Sequence, residues 1–404
     1  MMNLKELSEM LGLEKPWRIE SHHIDHESKQ LIIEVTCEAT VWLGRNRRLH
    51  IHSWETREWR HLNFWQYETV LRARVPRVQN PVTKATQLVQ VPWADKSSRC
   101  TRAFEAFAIE VMQCTKTLKD AAKLLNTNWH TLASIMKRAV KRGLERRKAS
   151  PIEYLGIDEK SFLRGQNYIT VITDINGKRV LDVKPGADKA TAKALLNDTL
   201  NEQQRDGVKA VAMDRSGTFS AAVPEVLPQA KIVFDAYHLA ADLNKAVDQT
   251  RRQEHQRLTQ QGEVILKGTR FLWLYDPANM SPDQASRFET IAHRELATSR
   301  AWMHKELFKG LYEQKDGIAG RIYFKKWAAK AQRSRLPAIQ KVAKSFTASM
   351  EGILNWFEHR ITNALTEGLN SVIQSLKTAA RGFRNAEAYR IRILFFAGKL
   401  DLSL

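Results

Sequence analysis

Hydrophobic and polar positions alternate with a period of two along much of the segment from residue 31 to about residue 93. The stretches LIIEV, RRLHIHSW and ETVLRARVPRV show this alternation, and turn formers such as Gly44 and Pro81 bound them. A period of two places successive side chains on opposite faces of a strand. The pattern therefore predicts a small β-rich module.

The same module is rich in arginine, histidine and tryptophan. Guanidinium and aromatic groups together suit contact with a sugar-phosphate backbone. The residues concerned are Arg47, Arg48, Trp54, Trp59, Arg60 and His61. The alternative is that the tryptophans form the core of the module and the arginines are solvated, and both interpretations fit the pattern.

The period changes to that of a helix between residues 103 and 147. The stretches FEAFAIEVM, TLKDAAKLLN and WHTLASIMKRAVKRGLERR predict helices, and Asn126-Thr127-Asn128 supplies capping residues for the last of them. The last two helices, joined by a tight turn, are typical of a helix-turn-helix.

In a helix-turn-helix the second helix enters the major groove of DNA, with its first residues at base edges. Here those residues are Asn128, Trp129 and His130. The basic residues that would meet phosphates are Lys137, Arg138, Lys141, Arg142, Arg146, Arg147 and Lys148. The alternative is a structural helix with a solvated basic face, because such faces are common.

Beyond a linker at KASPIEY, strand patterns occur at YLGIDEKSF, NYITVITDI and RVLDVKPG, followed by an amphipathic helix and the strand VKAVAMD. This order is that of the first part of an RNase H-like α/β layer. After one more strand, KIVFDAY, residues 239 to about 360 are almost entirely helical in pattern, and a further helix follows from about 359 to 378. We therefore predict an α/β RNase H-like core that contains a large all-helical insertion.

The balance of charge indicates a protein that binds a polyanion. The chain has 64 Lys and Arg against 44 Asp and Glu, a net charge of +20, which makes nucleic acid the leading partner. No run of 18 or more apolar residues exists, and the first 20 residues mix acids and bases, so we predict a cytoplasmic, nucleoid-associated protein without membrane contact. Cys37, Cys100 and Cys114 are too few and too scattered for a disulfide framework or a CxxC metal site.

Two acidic residues stand in apolar strand patterns. Asp158 lies within the first strand of the core, in LGID, and Asp214 ends the strand VKAVAMD. Phosphoryl transfer on DNA needs two divalent ions, which prefer carboxylate oxygens, so acids that converge from neighbouring strands suit this chemistry. Either acid alone is more often a turn cap or a lysine partner, and it is the pair that favours a metal site.

A third ligand is expected from a helix packed on the same sheet. The predicted apolar stripe of that helix contains Ile361, Leu365, Leu369, Val372 and Leu376. A second face contains Asn363, Glu367, Asn370 and Gln374. One carboxylate among amides suits metal and phosphate oxygens, which favours Glu367. On periodicity alone, its competitors are Glu351, Glu358 and Glu387.

Asp235 and His238 follow the strand KIVF and are separated by about one helical turn. At that spacing the acid and the imidazole can share one helix face and reach a phosphate or a metal-bound water. The more frequent alternative is that Asp235 caps a helix and His238 is structural.

Together these motifs resemble the ISL3 family of bacterial insertion-sequence transposases, which belong to the DDE class. The resemblance covers nearly the whole chain and rests on WRHLNFWQYET, RVPRVQNP, the helix-turn-helix, GIDEKSF, AMDRSG, IVFDAYHLAADLN, LKGTRFLWL and TNALTEGLNSVIQSLKTAARGFRN. It implies that the catalytic, metal-binding acids are Asp158, Asp214 and Glu367, and that the DxxH motif is Asp235 with His238. The expected cofactors are two Mg²⁺ ions, or Mn²⁺ in their place.

Members of the family commonly begin with a zinc ribbon that has two pairs of ligands. The matching positions are Leu43 with Asn46 and Asn80 with Thr83, none of which is a thiolate or an imidazole. Structural zinc sites require such ligands. We therefore expect a ribbon-like module that binds no zinc.

The predicted domains are a β-rich module (1–97), a helix-turn-helix (98–148), the first part of the core (149–240), a helical insertion (241–360) and the C-terminal core helices (361–404). We expect the first two to bind terminal inverted repeats of double-stranded DNA. The triad would cleave that DNA and join it to a target, in a homodimer or larger synaptic complex. The alternatives are a nuclease or junction enzyme of the same fold and a non-catalytic DNA-binding regulator.

Overall fold

The computed structural model describes residues 7–9, 11–39, 42–43, 48–115, 117–163, 167–361, 364–383 and 385–404. The chain forms two compact units. The first contains residues 1–147 together with 400–404, and the second contains residues 148–399. The finer division into five domains stays a prediction.

A mixed sheet forms the amino-terminal part of the first unit. Its strands are β1 (Trp17–Asp25), β2 (Gln30–Cys37), β3 (Trp42–Leu43), β4 (Arg48–Arg60), β5 (Glu68–Gln79) and β6 (Thr86–Leu88). Their order is β1-β2-β5-β4-β3, with β6 also paired to β5. The sequence pattern did not predict β1, because this strand buries only two of its nine residues and so lacks a regular alternation.

The core of this sheet is built on tryptophan. The rings of Trp17 and Trp59 each meet the ring of Trp93 edge to face, with centroids 4.9 and 5.5 Å apart. Trp59 is 3% exposed, so it belongs to the core. Trp54 is at the surface, where the guanidinium of Arg74 lies 5.6 Å from the centre of its ring. The side chains of Arg47 and Arg48 lie outside the described residues.

The sheet is followed in the first unit by the helices α1 (Arg102–Cys114), α2 (Leu118–Leu124) and α3 (Trp129–Arg146). Each begins at a side-chain cap, and Asn128 Oδ1 accepts a hydrogen bond of 2.8 Å from the Thr131 amide at the start of α3. Helices α2 and α3 are the predicted helix-turn-helix pair. The turn between them contains Asn126 in the left-handed conformation, with φ +45°.

Residues 400–404 return to this unit and pack on α3. Leu400 lies so close to Gly143 that a β-carbon at position 143 would be 2.7 Å from the Leu400 Cβ. Leu402 is buried, and Arg146 donates a hydrogen bond of 2.7 Å to the carbonyl of Ser403. The last residues of the chain are therefore part of the packing of the helix-turn-helix.

Arg60 and His61 connect the sheet of the first unit to α1. Arg60 donates hydrogen bonds to the carbonyl of His61 and to Asn63 Oδ1, and its guanidinium lies 5.2 Å from the centre of the Phe104 ring. His61 Nδ1 lies 2.8 Å from Thr101 Oγ1. Both side chains thus make contacts within the unit.

The second unit contains a five-stranded sheet formed by β7 (Tyr154–Leu163), β8 (Asn167–Asp174), β9 (Arg179–Pro185), β10 (Ala210–Met213) and β11 (Lys231–Phe234). The order is β11-β10-β7-β8-β9. Strands β7, β8 and β9 form an antiparallel meander, whereas β10 is parallel to both β7 and β11. All four residues of β10 are buried, as expected for a parallel strand covered on both faces.

Helices cover this sheet and continue through the carboxyl-terminal half. Those near the sheet are α4 (Lys189–Thr199), α5 (Glu202–Gly207), α6 (Gly217–Val226) and α7 (Ala236–Gln260). The following ones are α8 (Arg270–Leu274), α9 (Pro282–Ala292), α10 (Ala297–Lys309), α11 (Gly317–Gln332), α12 (Pro337–Ala348), α13 (Met350–Leu354) and α14 (Trp356–His359). The last are α15 (Ala364–Ala379) and α16 (Ala386–Ala397).

One hydrophobic core runs from the sheet into the helices of the second unit. It includes Leu155 of β7, Leu243 of α7, Trp273 of α8 and Phe346 of α12, all of them buried. The prediction of a mixed α/β chain with a helical carboxyl-terminal half is therefore confirmed. No helix among the described residues is long and apolar enough to cross a membrane.

The first prediction concerns acid stability. Burial, and secondarily the charge of Arg60, lower the pKa of His61 to about 4. In an unfolded chain the pKa of histidine is about 6.5. Neutral His61 therefore stabilises the folded unit fully above pH 6.5, and this contribution is lost as the pH falls from 6.5 toward 4, because the unfolded chain takes up the proton first.

Between pH 7.5 and pH 5, the wild type should lose about 2 kcal/mol more free energy of unfolding than His61→Gln, which cannot titrate. Urea unfolding of the first unit, followed by tryptophan fluorescence at both pH values, measures this difference. His52→Gln changes an exposed histidine of β4, the strand that ends just before His61, and should behave as the wild type. Equal losses in the wild type and His61→Gln would contradict the prediction.

Candidate functional site

The pairing of β7 with β10 brings the first two predicted acids to neighbouring positions. These strands are parallel, and Ile157 is the partner of Met213 at the end of β10. Asp158 and Asp214 are each the next residue. The two carboxylates that the sequence analysis chose from separate strand patterns therefore follow a matched pair on adjacent strands.

Asp158 is 4% exposed and is held by three groups. Its Oδ1 accepts a hydrogen bond of 2.7 Å from the Glu159 amide. Its Oδ2 accepts one of 2.6 Å from Asn370 Nδ2 and lies 2.7 Å from Lys160 Nζ. The positive charge of Lys160 and the amide donors stabilise the ionised form of a carboxylate that would otherwise be costly to bury.

Asn370 belongs to α15, the helix predicted to supply the third acid. A second contact holds this helix on β7, because Lys377 Nζ donates a hydrogen bond of 2.6 Å to the Ser161 carbonyl. Among the described residues, the buried Asn370 Oδ1 has no hydrogen-bond partner. It is a spare oxygen beside Asp158, of the kind that a divalent cation accepts as a ligand.

The helix is rotated slightly relative to the predicted stripe. Ile373 is 1% exposed, whereas Val372, which the stripe included, is 39% exposed. Glu367 precedes Asn370 by three residues in α15, but the side chain of Glu367 lies outside the described residues. Its part in the triad stays a prediction.

Asp214, Asp235 and His238 form a cluster in which one ligand atom from each residue lies within 4.8 Å of the others. His238 Nδ1 makes a hydrogen bond of 2.9 Å with Asp235 Oδ2 and is 2.8 Å from Asp214 Oδ1. Asp235 is 5% exposed and also caps α7, where it accepts a hydrogen bond from the Tyr237 amide. Among the residues that the structure describes, this is the one group of three or more such side chains close enough to hold a metal ion.

The cluster is a strong electrostatic feature. Hydrogen bonds to Asp214 and Asp235 raise the pKa of His238 to about 10, so the imidazole is protonated at neutral pH. Burial, followed by the negative charges of Asp158 and Asp214, raises the pKa of Glu159. Both shifts reflect the negative charge gathered where the middle of β7 lies next to the end of β10. A divalent cation at these carboxylates would compete with the proton on His238.

Sequence reasoning missed three contributors to this site. Lys160 was identifiable in principle, because it lies two residues after Asp158 and a strand places such residues on one face. Asn370 was on the predicted polar face of its helix, but its contact with Asp158 depends on how α15 packs. The Tyr312 hydroxyl is buried without a hydrogen-bond partner among the described residues, and burial and then Asp235 raise the pKa of this tyrosine. Nothing local in the sequence indicates its position.

The predicted DNA-binding residues of α3 fall into two groups. The exposed group is Asn128, Trp129, His130, Lys137 and Lys141. The rings of Trp129 and His130 stack with centroids 3.6 Å apart, and Trp129 is 52% exposed. Lys141 is 3.8 Å from Glu145 across one turn at the surface.

The second group makes contacts within the unit. Arg138 pairs with Glu105, which is 1% exposed, and Arg142 lies 3.5 Å from Asp95. Arg146 binds the Ser403 carbonyl, and Arg147 is the partly buried C-cap of α3. The guanidinium groups of Arg138 and Arg142 therefore have carboxylate partners in the folded unit.

Comparison with protein families places this geometry in a known context. Residues 155–393 match the transposase model of the ISL3 family of the DDE class, and residues 89–140 match the helix-turn-helix domain of transposase family ISL3. Residues 45–79 match the zinc-finger of the transposases of IS204, IS1001, IS1096 and IS1165. The matching catalytic domain and the matching helix-turn-helix together define a DDE transposase.

The chain belongs to the ISL3 family of insertion-sequence transposases. The transposase for insertion sequence element IS1001 of Bordetella parapertussis is 25% identical over 383 residues, which cover 94% of this chain and 92% of that protein. The transposase for IS1557 of Mycobacterium tuberculosis is 26% identical over 423 aligned positions, covering 96% and 94%. Of the functions considered from the sequence, the transposase is confirmed, and with it the binding of DNA.

The expectation that the protein binds no zinc is wrong, because residues 45–79 match a zinc-finger model. That expectation depended on the chemistry of four positions. Of these, Asn46 lies outside the described residues, and Asn80 accepts hydrogen bonds from the Val82 and Thr83 amides in the turn after β5. The matched segment has imidazoles, a ligand type that zinc accepts, at His50, His52 and His61, which are not among those four positions.

The second prediction concerns cation binding by the carboxylate cluster. Mg²⁺ or Mn²⁺ should raise the melting temperature of the second unit, because an ion that binds only the folded state stabilises it. The free energy of unfolding rises by about 2.7 kcal/mol when the ion concentration is 100 times Kd. Asp214→Asn should remove most of this gain, since it removes a charged ligand. Asp206→Asn, which changes an exposed aspartate of the same unit, is the matched control. A gain in Asp214→Asn equal to that of the wild type would show that the cluster is not the cation site.

Proposed function

We propose that this transposase binds the terminal inverted repeats of its insertion sequence, cleaves the DNA there and joins the freed ends to a target. Asp158, Asp214 and Glu367 are the catalytic, metal-binding acids in this proposal. The observation that carries it is the parallel pairing of Ile157 with Met213, which sets Asp158 beside Asp214. The buried position of Asp158 and the Asn370 Oδ1, unpaired among the described residues, fit a cation bound beside these two acids.

An RNase H-like core is the finer fold that we propose for the second unit. Its support is the strand order β11-β10-β7-β8-β9, with three antiparallel strands followed by two parallel ones. The first parallel crossover passes through α4, and the helix that approaches β7 from the end of the chain is α15. The proposed helical insertion of this arrangement is residues 241–360, which run from within α7 to the end of α14.

Glu367 is the third acid in the proposal because of its spacing from Asn370. Residues three apart lie on one face of a helix. Asn370 reaches Asp158, with 2.6 Å between Asn370 Nδ2 and Asp158 Oδ2. Glu367 therefore shares the helix face that approaches β7. The three competing acids have partners elsewhere: Glu351 binds Arg321, Glu358 binds Lys231, and Glu387 lies 3.2 Å from the Arg390 guanidinium.

Bound Mg²⁺ ions would activate the attacking hydroxyl and stabilise the leaving oxygen. The residues of this chain hold and orient the groups around them. Asp158 and Asp214 supply carboxylate oxygens from adjacent strands, and Lys160 and Asn370 fix the orientation of Asp158. Asp235 is a positioning residue that fixes the His238 ring beside Asp214. Water is the first nucleophile in this scheme, and a 3′ hydroxyl is the second.

The third prediction tests the acids directly. With Mg²⁺ and duplexes from the two ends of the element, the wild type should cleave the DNA and transfer strands. Asp214→Asn should slow both steps by more than about 100-fold, because metal-assisted stabilisation of the transition state contributes several kcal/mol. Gel analysis of the products measures both steps.

Asp206→Asn is again the matched control and should retain the wild-type rate. Cleavage without strand transfer would reduce the proposal to a nuclease. If Asp214→Asn cleaves as fast as the wild type, the assignment of the acids is wrong. Because two ends must meet for strand transfer, we also propose that the active form is a dimer or larger assembly. Measuring the size of the complex that the protein forms with end DNA tests this.

The DNA-binding face that we propose is the exposed side of α3. Asn128, Trp129 and His130 stand at its first turn, where a recognition helix meets base edges. Lys137 and Lys141 follow on the same exposed face and suit phosphate contacts. Arg138 and Arg142 are left out of this face because Glu105 and Asp95 hold them.

The fourth prediction separates these two groups. Lys137→Gln with Lys141→Gln should weaken binding to end DNA and reduce the slope of log K against log salt by about 1.8, since each lost phosphate contact accounts for about 0.9. Arg138→Gln should instead lower the melting temperature, because it leaves the buried Glu105 without its ion pair. Fluorescence anisotropy at several salt concentrations, together with thermal unfolding, measures both. An unchanged salt slope in the double lysine variant would contradict the proposed face.

A further inference from the structure

The chain between β4 and β5 presents an unusually exposed tryptophan. Trp65 is 81% exposed, whereas Trp17, Trp59 and Trp93 of the same unit are at most 8% exposed. It occupies the first position of a two-residue hairpin loop, in which the Phe64 and Tyr67 amides donate hydrogen bonds of 3.1 and 3.0 Å to each other's carbonyls. The largest apolar side chain thus stands in water at the tip of a tight turn.

The backbone of Trp65 makes this choice of residue unfavourable for folding. Its φ is +55°, in the left-handed region that favours glycine. Two-residue hairpin loops prefer Gly, Asn or Asp at this first position for the same reason. Tryptophan gives up the favoured backbone conformation here and buries little surface in return. A contact outside the folded unit would account for it.

The hairpin is held firmly, so that the indole is presented in a defined place. Thr69 Oγ1 accepts a hydrogen bond of 3.1 Å from the Phe64 amide, and the stacked Phe64 ring lies 5.2 Å from one face of the indole. The base of the loop is fixed by Arg60 and by the contact of His61 with Thr101. Ordering of this loop is therefore already complete before any partner binds.

The same hairpin touches the turn of the helix-turn-helix. Asn126 Nδ2 donates a hydrogen bond to Glu68 Oε1, two residues before the Asn128 cap of α3. Two exposed lysines flank this contact. The Lys29 carbonyl accepts from the Glu68 amide, and the Lys123 carbonyl accepts from the Asn126 amide. The hairpin that presents the indole therefore contacts the turn that precedes the proposed DNA-binding helix, and two lysines lie next to this contact in the backbone.

We propose that Trp65 is a second DNA-contacting element, a wedge whose indole inserts at a base step in the minor groove next to the major groove occupied by α3. Apolar side chains that insert in this way unstack the step and kink the duplex. This inference rests on the proposed binding of element ends by α3. The contact of the hairpin with the turn that precedes that helix favours DNA over a protein partner.

Trp65→Gly tests the proposal because folding and DNA binding should respond in opposite directions. Glycine relieves the left-handed backbone, so the melting temperature of the first unit should not fall. Affinity for a 30-base-pair duplex from the element end should fall by about 5- to 100-fold, the range for loss of aromatic contact with a base. Trp65→Phe should restore much of the affinity. Lys84→Gly relieves another exposed left-handed residue of the unit, with φ +57°, and should leave the duplex geometry unchanged.

Energy transfer between dyes on the two ends of the duplex gives the second measurement. The wild type should bend the DNA by an angle in the range of about 20–90°, and Trp65→Gly should straighten it. If Trp65→Gly binds and bends DNA as the wild type does, or if it unfolds the first unit, the wedge is wrong. A change in oligomeric state with unchanged DNA binding would make Trp65 a contact between protein chains. If the wild type itself fails to bind the end duplex, the proposed function is wrong as well. If the Lys137 and Lys141 variant loses binding but Trp65→Gly does not, only the wedge is wrong.

Discussion

The parallel pairing of β7 with β10 is the constraint on which the second unit depends. The four-residue strand β10 has no exposed side chain, so its place between β7 and β11 is fixed by burial on both faces. This pairing brings Asp158 of β7 and Asp214, the residue after β10, to neighbouring positions, where their negative charges repel each other. The sheet can hold the acids there only if other groups compensate their charge.

The compensation comes from three directions. Lys160 lies on the same strand as Asp158, Asn370 comes from α15 near the end of the chain, and His238 comes from the first turn of α7. The contacts of Asn370 and His238 each join a separate helix to these acids. The helices that surround the sheet are thereby tied to the chemistry of the site as well as to its hydrophobic core. A change in the charge of Asp158 or Asp214 will therefore also affect the packing of α7 and α15.

Sequence alone predicted the elements well and their orientation less well. Apolar runs located the strand that contains Asp158 and the strand that Asp214 follows, because a buried strand shows in the sequence as a run of apolar residues. The rotation of α15, which buries Ile373 in place of Val372, depends on which sheet face it meets and has no local signature. The same limit applies to Arg138. Its neighbours in sequence are basic, but its carboxylate partner is 33 residues away on another helix.

The return of residues 400–404 to α3 makes the first unit discontinuous in the chain. Residues 148–399 are synthesised between its two parts, so Leu402 can complete its packing only after the second unit has been made. Domains generally fold in the order in which they are made. Here that order is reversed for the last step, because the helix that we propose reads DNA acquires its final neighbours after the catalytic unit exists. A growing chain therefore contains the catalytic unit before its DNA-binding unit is fully packed.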